Sequence, residues 1–371
     1  MNTIGVGLLG TGFAGRAHAH AISSSRRFGK VSPVKVAVFS LNPDKAKTFA
    51  STYGFKKWYG DWRELVRDKE VDVVINALPN YMHAEPSMGA AREDKAILCE
   101  KPLGRTAEEA LKIAESVKET GVINGVGFNH RWLPAVQLAR KLIDKGVVGE
   151  IRYFRGYFLE DWAFDPKMPF AWRFDAKDAG YGTVGDNGAH VIDLARFLVG
   201  EVERVVAISR IYIPERPSSE GVKRVTNDDA SAVLLEFENG AIGTLEASRV
   251  FPGRTNYMGF EIYGDAGAIF FDLEHLDELR VADYSEDEEV RGVKRIRVLE
   301  RCHHGVKNYW AKHALGWAES FTLQLEAFLE AVQEHRGYKP DFFDGVAVNA
   351  VLDAIKKSSS ERRWVEVERL W

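Results

Sequence analysis

Two cysteines in 371 residues, Cys99 and Cys302, cannot build a disulfide framework, so the fold does not rest on covalent staples. No apolar run approaches the roughly 20 residues that cross a bilayer as a helix, which excludes a spanning segment of that kind. Basic residues are not in excess: 50 Lys and Arg stand against 54 Asp and Glu, for a net charge of −4. They are interleaved with acids, so no broad positive field faces a phosphate backbone. Nothing repeats at a solenoid period, and Met1-Asn2-Thr3 runs into an apolar strand without the features of a signal peptide. These absences predict a cytoplasmic protein with neither nucleic acid nor membrane as partner. What is present is length and apolar content, with 45% hydrophobic residues to fill two cores.

The organising stretch is Val6-Gly7-Leu8-Leu9-Gly10-Thr11-Gly12-Phe13-Ala14-Gly15, which reads as strand, glycine turn and helix. Gly10 permits the tight turn, Gly12 admits a pyrophosphate to the backbone, and Gly15 lets the helix pack on the strand. Free N–H groups at the helix start, around Phe13 and Ala14, face the phosphates. Val34–Phe39 is a second strand, and Asn42-Pro43 opens a helix as a cap and first-turn proline do. NAD-binding proteins usually place a carboxylate for the ribose at the end of this strand; here Ser40 stands there, with Lys45 one turn on. A hydroxyl and an ammonium tolerate a 2′-phosphate, which predicts NADP(H), with NAD as the alternative. Val71–Leu78 is a strand buried on both faces, and the loop Pro79-Asn80-Tyr81-Met82-His83 follows where such sheets meet ligand. Ala96–Cys99 ends in Glu100-Lys101-Pro102.

The glycine turn, Leu78-Pro79-Asn80 and Glu100-Lys101-Pro102 together resemble the glucose-fructose oxidoreductase, inositol dehydrogenase and rhizopine-catabolism family, Gfo/Idh/MocA. The resemblance covers nearly the whole chain. It implies an α/β fold in two domains. The first, residues 1–128, is a Rossmann NAD(P)-binding domain, with a C-terminal helix at about 345–357 packing back on it. The second, residues 129–371, carries a large, mostly antiparallel open sheet for substrate binding and oligomerisation. By the same resemblance Leu78, Pro79, Asn80, His83, Glu100, Asn129, Trp172 and Arg173 join Gly10, Gly12, Phe13, Ala14, Ser40, Asn42 and Lys45 at the cofactor. Lys101 lies by the nicotinamide, binds the reacting hydroxyl and precedes a commonly cis proline. The open sheet face implies a homodimer or homotetramer.

In the second half, Ile151–Phe158 is an aromatic and β-branched strand, after which regular patterning stops until Tyr181. A loop of that length inside a compact domain is usually functional. Trp162 and Trp172 fit either stacking on a sugar ring or anchoring the loop in a core, and Arg173 fits binding to oxygen atoms. Asp186, His190 and Asp193 stand at i, i+4 and i+7, so one helix face would present all three. Histidine is suited to accepting a proton near neutral pH, and Asp193 is expected to orient it. In the family these positions correspond to a substrate-binding aspartate and a general-base histidine. Strands are expected at Val202–Tyr212, Ala230–Phe237, Ala241–Val250, Met258–Tyr263 and Ile269–Leu273, with a turn at Asn239-Gly240.

Cys302-His303-His304 lacks a second ligand group at a recognised spacing, so no metal is expected. His313, near Trp310 and Trp317, is a further substrate candidate beside Tyr157, Asp161, Trp162, Arg173, Asp186 and His190. The reading is a dehydrogenase acting on a secondary alcohol of a sugar or cyclic polyol, of the inositol, aldose or anhydrosugar class, with Lys101, Asp186 and His190 catalytic. Its rivals are a catalytically silent NAD(P)-binding sensor and a sugar–sugar oxidoreductase that never releases its cofactor.

Overall fold

The computed structural model describes residues 3–306, 309 and 311–371. The chain divides into two compact units: one comprises the stretch ending at Asn129 with Gly316–Ala347 and Leu370–Trp371, the other His130–Leu315 with Val348–Arg369. The helix Glu319–Gln333, expected in the second domain, therefore belongs to the first unit. The long helix Phe342–Glu361 is shared, only its first turns falling in that unit.

In the first unit, strands β1 (Thr3–Leu9), β2 (Ser32–Phe39), β3 (Lys57–Tyr59), β4 (Val73–Asn76), β5 (Ala96–Cys99) and β6 (Asn124–Val126) form one sheet ordered 3-2-1-4-5-6. All its neighbours run parallel. Helices on both faces leave β4 and β5 buried along their whole length, which is why they read as unbroken apolar runs. The strand order reverses between β1 and β4, the position where sheets of this kind open a ligand crevice beyond their carboxyl ends. Helix Glu319–Gln333 packs on helix Phe13–Phe28, and Gln324 Nε2 donates to the Val126 carbonyl at 2.8 Å, closing the β6 edge. Among the described residues no helix is long and apolar enough to cross a membrane.

The second unit is built on β7 (Ile151–Leu159), β8 (Val202–Arg210), β9 (Glu215–Ser218), β10 (Gly221–Arg224), β11 (Ala230–Phe237), β12 (Ile242–Ser248), β13 (Tyr257–Gly264), β14 (Gly267–Asp272), β15 (Glu278–Asp283), β16 (Val293–Arg297) and β17 (Val365–Glu366). Nine of these form a sheet ordered 16-15-14-13-7-12-11-8-17, and β9 pairs with β10 as a separate hairpin. Only β7 and β12 run parallel within it, so the expected mostly antiparallel sheet is what the chain forms. Period-two alternation sorts β7 cleanly. Phe154, Gly156 and Phe158 face helix Ala189–Leu198, where a Cβ on Gly156 would meet Val191 at 2.4 Å. Tyr153, Arg155 and Tyr157 take the opposite face, against Tyr263, Glu261 and Tyr257. On that face Ile208, Leu234 and Ile242 are exposed.

One local expectation fails. Asp186 is not on the α-helix with His190: Val184–Gly188 is a π-helical turn and the α-helix begins at Ala189. The wider turn, with its i→i+5 bonding, takes Asp186 out of the i, i+4 register and is a form frequent at functional sites. Glycines at 182, 185 and 188 supply the slack; a Cβ on Gly182 or Gly185 would lie 2.4 Å from Asp228 or Tyr181.

Candidate active site

In the first unit the glycine turn has the geometry that a dinucleotide needs. Gly10 adopts φ +109°, and a Cβ there would collide with the Ala77 carbonyl at 2.5 Å. A Cβ on Gly15 would lie 2.3 Å from the Gly10 carbonyl, whereas one on Gly12 meets nothing within 4 Å. The turn is thus closed behind and open in front, and helix Phe13–Phe28 starts without a side-chain cap, so its first N–H groups suit a pyrophosphate. Phe13 is 60% exposed, and its ring lies 5.6 Å from Trp317.

At the end of β2, Ser40 Oγ accepts from Thr11 Oγ1 and from the Asn42 amide, both at 3.4 Å. Asn42 caps helix Pro43–Tyr53 by accepting from the Lys45 amide at 3.1 Å. Thr11, Asn42 and Lys45 line a hollow of about 370 Å³ with Asp44, Thr48 and Phe49. The ribose-side candidates therefore converge on one place.

Glu100 and His83, expected at the cofactor, brace the main chain on either side of Lys101. Glu100 is 8% exposed, with Oε1 2.8 Å from His18 Nε2 and Oε2 accepting from the Lys101 amide at 3.3 Å. Burial pushes this carboxyl upward, but the His18 hydrogen bond and charge, with the charge and amide of Lys101, hold it below the usual carboxylate range. His83 is buried, and its Nδ1 and Nε2 each lie 2.9 Å from a main-chain carbonyl, of Pro102 and Leu78. It thereby ties the loop after β4 to the cis Lys101-Pro102 bond, and burial lowers its pKa against the pull of those carbonyls. Asn80 is buried in the loop after β4, and Asn129 Nδ2 donates to Ser320 Oγ at 2.7 Å.

In the second unit, Asp186 Oδ2 lies 3.2 Å from Arg173 Nε, so the two oxygen-binding candidates form one charged pair at the end of the long loop. Arg173 also covers the Trp172 ring, 4.5 Å from its centroid. His190 is 7% exposed and stands edge-on to His130 at 4.4 Å, with Phe158 at 6.0 Å. Asp193, expected to orient His190, has its carboxylate gripped by Arg131 Nε and Nη2 in a buried ion pair, which ties the chain start of this unit to the helix carrying His190. His130 and Phe158 were not singled out from sequence; Phe158 is one strand residue beyond Tyr157, and the alternation that selects it was visible.

Four further substrate candidates have contacts of their own. Tyr157 stacks on Tyr257 at 4.6 Å on the sheet face opposite Phe158, and burial with the Tyr257 hydrogen bond raises its hydroxyl pKa. Trp162 packs 5.8 Å from Phe174 in a buried cluster with Ala163, Val225 and Val250, so it is a loop anchor. Asp161 Oδ2 accepts from the Gly253 amide at 3.1 Å, bracing a neighbouring turn. His313 is exposed, with Nδ1 3.2 Å from the Ala311 carbonyl, and Trp310 lies outside the described residues.

Residues 4–128 match the oxidoreductase family with an NAD-binding Rossmann fold, and residues 136–270 match the GFO/IDH/MocA C-terminal domain. The chain belongs to the Gfo/Idh/MocA family. It is an oxidoreductase of that family, as its motifs imply. Levoglucosan dehydrogenase of Pseudarthrobacter phenanthrenivorans is 39% identical over 389 residues, covering 100% of both chains. Inositol 2-dehydrogenase of Rhizobium meliloti is 28% identical over 98% of this chain and 99% of its own. Among solved structures, levoglucosan dehydrogenase in complex with NADH and levoglucosan superposes with TM-score 0.96 at 39% identity, over 99% of this chain and 100% of that one. An oxidoreductase domain protein from Kribbella flavida reaches the same TM-score at 35% identity over 100% of both.

Proposed function

We propose that this chain oxidises a secondary alcohol of an anhydrosugar, aldose or cyclic polyol, with levoglucosan-like rings as the first class to test. The observation that carries the substrate class is likeness to a levoglucosan dehydrogenase, 39% identical over 100% of both chains. The bound nicotinamide supplies the hydride acceptor. His190 takes the hydroxyl proton, held for that task by His130 and Phe158. Lys101 donates to the same hydroxyl and favours its deprotonation, while Asp186, steadied by Arg173, holds a neighbouring hydroxyl in the reacting pose. A silent sensor has no use for this proton-accepting set.

The finer cofactor choice, NADP(H) ahead of NAD(H), rests on the absence of a carboxylate at Ser40 and the presence of Lys45. Assembly into a homodimer or homotetramer through the open sheet face is supported by Ile208, Leu234 and Ile242, which present apolar surface to solvent.

The deciding assay follows reduced-nicotinamide absorbance with a panel of anhydrosugars, inositols and aldoses, each with NAD and with NADP. Turnover with free cofactor and one of these sugars is expected. Failure with every sugar while either cofactor binds favours the sensor, and activity only with paired sugars and no added cofactor favours the sugar–sugar oxidoreductase. Ser40→Asp should shift preference toward NAD by placing a carboxylate against the 2′-phosphate; a wild-type protein that already rejects NADP removes the argument from Ser40.

A further inference from the structure

The end of β12 carries an arginine that the reaction does not use and that solvent does not reach. Arg249 is 1% exposed, and its guanidinium serves three partners, one of them the Asn227 carbonyl, which accepts from Nη2 at 3.4 Å. Nε donates to Asp229 Oδ1 at 3.0 Å, and Nη2 lies 2.9 Å from the same oxygen. Nη1 donates instead to the main-chain carbonyl of Arg173, at 3.2 Å. That carbonyl accepts a second donor, Nδ2 of Asn227, also at 3.2 Å, and Asn227 is 4% exposed. The Phe174 ring packs beneath the Arg249 guanidinium, 4.6 Å from it. The residue whose carbonyl is thus held from two sides is the one whose own guanidinium meets Asp186.

A buried ion pair is weak evidence for stability, because an apolar filling of the same volume would serve the core as well. A rigid planar fork does what an apolar side chain does not: it aims a donor at one chosen carbonyl while anchored on a carboxylate. Asp229 is itself fixed, since its other oxygen accepts the amides of Tyr212 and Ile213 at 2.8 and 3.0 Å. The anchor, the fork and the carbonyl therefore form a braced line that ends at Arg173. The short 3-10 turn Trp172–Phe174 has no long helix to hold its direction, so this bracing sets where the Arg173 side chain starts.

We propose that Arg249, assisted by Asn227, is a positioning residue for sugar binding: by fixing the Arg173 carbonyl it sets the geometry of the Arg173–Asp186 pair that receives substrate hydroxyls. The inference rests on the reading of Arg173 and Asp186 as substrate groups. Displacements of about 1 Å in a positioning group are enough to cost catalytic efficiency heavily.

The test compares Arg249→Lys, Asn227→Ala and Arg173→Ala, with the two doubles that combine Arg173→Ala with each of the others, using levoglucosan and myo-inositol as probe sugars. Arg249→Lys and Asn227→Ala should each raise the sugar KM about tenfold with kcat changed less than about threefold, the signature of lost substrate binding. The dissociation constant for NADH, read by fluorescence titration, should not move. In the Arg173→Ala background each should add less than about twofold, because residues acting through one group are non-additive. Additive effects, or an equal fall in cofactor affinity, would overturn the proposal. Asn227→Ala leaves the Arg249–Asp229 pair intact, so it decides the matter if Arg249→Lys does not fold. If Arg173→Ala itself leaves sugar KM unchanged, the reading of Arg173 falls and the inference falls with it; if only the second-site variants are silent, the inference alone is wrong.

Discussion

His18 Nε2 and Glu100 Oε1 meet at 2.8 Å inside the first unit, joining the interior of the first helix to the residue before Lys101. His18 lies on the buried stripe formed by Ala17, Ala21 and Ile22, the one buried titratable group on this helix among the described residues. Glu100 has room there because Gly127 has no side chain; a Cβ at that position would stand 3.0 Å from the carboxylate. The pair thus fixes the floor on which Lys101 stands.

Removing one partner strands the other. His18→Leu should destabilise the protein by on the order of 3 kcal/mol, because it leaves Glu100 buried with its main partner gone, whereas His18→Leu with Glu100→Leu should cost less than the single change. Urea unfolding midpoints of the two variants and the parent check this. A double variant less stable than His18→Leu would show that the pair is not the unit of stability.

The His83 clamp gives a pH dependence with a definite sign. Its folded pKa is lowered by burial against two carbonyls that favour the charged ring, so its contribution is complete above the ordinary imidazole value and lost as pH falls through the folded one. The stability gap between the parent and His83→Gln should therefore shrink on going from about pH 7.5 to about pH 5.5, across the imidazole range. A gap that stays constant or widens over that interval shows that the two carbonyls, not burial, set the charge of this histidine.

The two faces of β7 make separable predictions. Phe158→Ala should reduce turnover and raise sugar KM, because it removes the ring packed beside His190 and His130. Tyr157→Phe, on the opposite face, should leave both within about twofold and cost about 1 kcal/mol of stability for the lost hydrogen bond. Steady-state kinetics with one sugar suffices. If Tyr157→Phe impairs sugar binding more than Phe158→Ala, the sheet faces have been misassigned.

The first unit was legible because its signals are local: a glycine turn after an apolar strand, a cap before a proline and strands buried on both faces each declare themselves within ten residues. The second unit was legible in its strands, whose alternation marks Ala230–Phe237 to the residue. It was less so in β15 and β16, which were not among the expected strands; β16 exposes Val293, Lys294, Arg295 and Arg297 and so lacks an alternating apolar face. The site residues were harder to place. Asp186, His190 and Asp193 carry helical spacing, but the π-helical turn Val184–Gly188 takes Asp186 off the α-helix that His190 and Asp193 share, and the three meet Arg173, His130 and Arg131 respectively. Trp162 fitted both a sugar platform and a loop anchor, and its packing on the cluster of Phe174 and Val250 is something the local sequence does not announce. Arg249 and Asn227, separated from Arg173 by 76 and 54 positions, are joined to it only by the fold.

The assignment of the proton acceptor is tested by removing it. If His190 is the general base, His190→Ala should slow the chemical step by roughly a hundredfold or more while NADH binding is nearly unchanged, the range for a positioned acid–base group. Lys101→Ala should also damage turnover, since it removes a donor to the reacting hydroxyl and a positive charge that favours its ionisation. The pH profile distinguishes the two. Oxidation rate should rise with pH through one ionisation as the base loses its proton, and that ascending limb should be absent from whatever rate remains in His190→Ala. In Lys101→Ala the limb should survive at a lower rate, because His190 is still there to titrate. Persistence of the limb in His190→Ala, with its loss only in Lys101→Ala, would make the lysine the base and the histidine a positioning group.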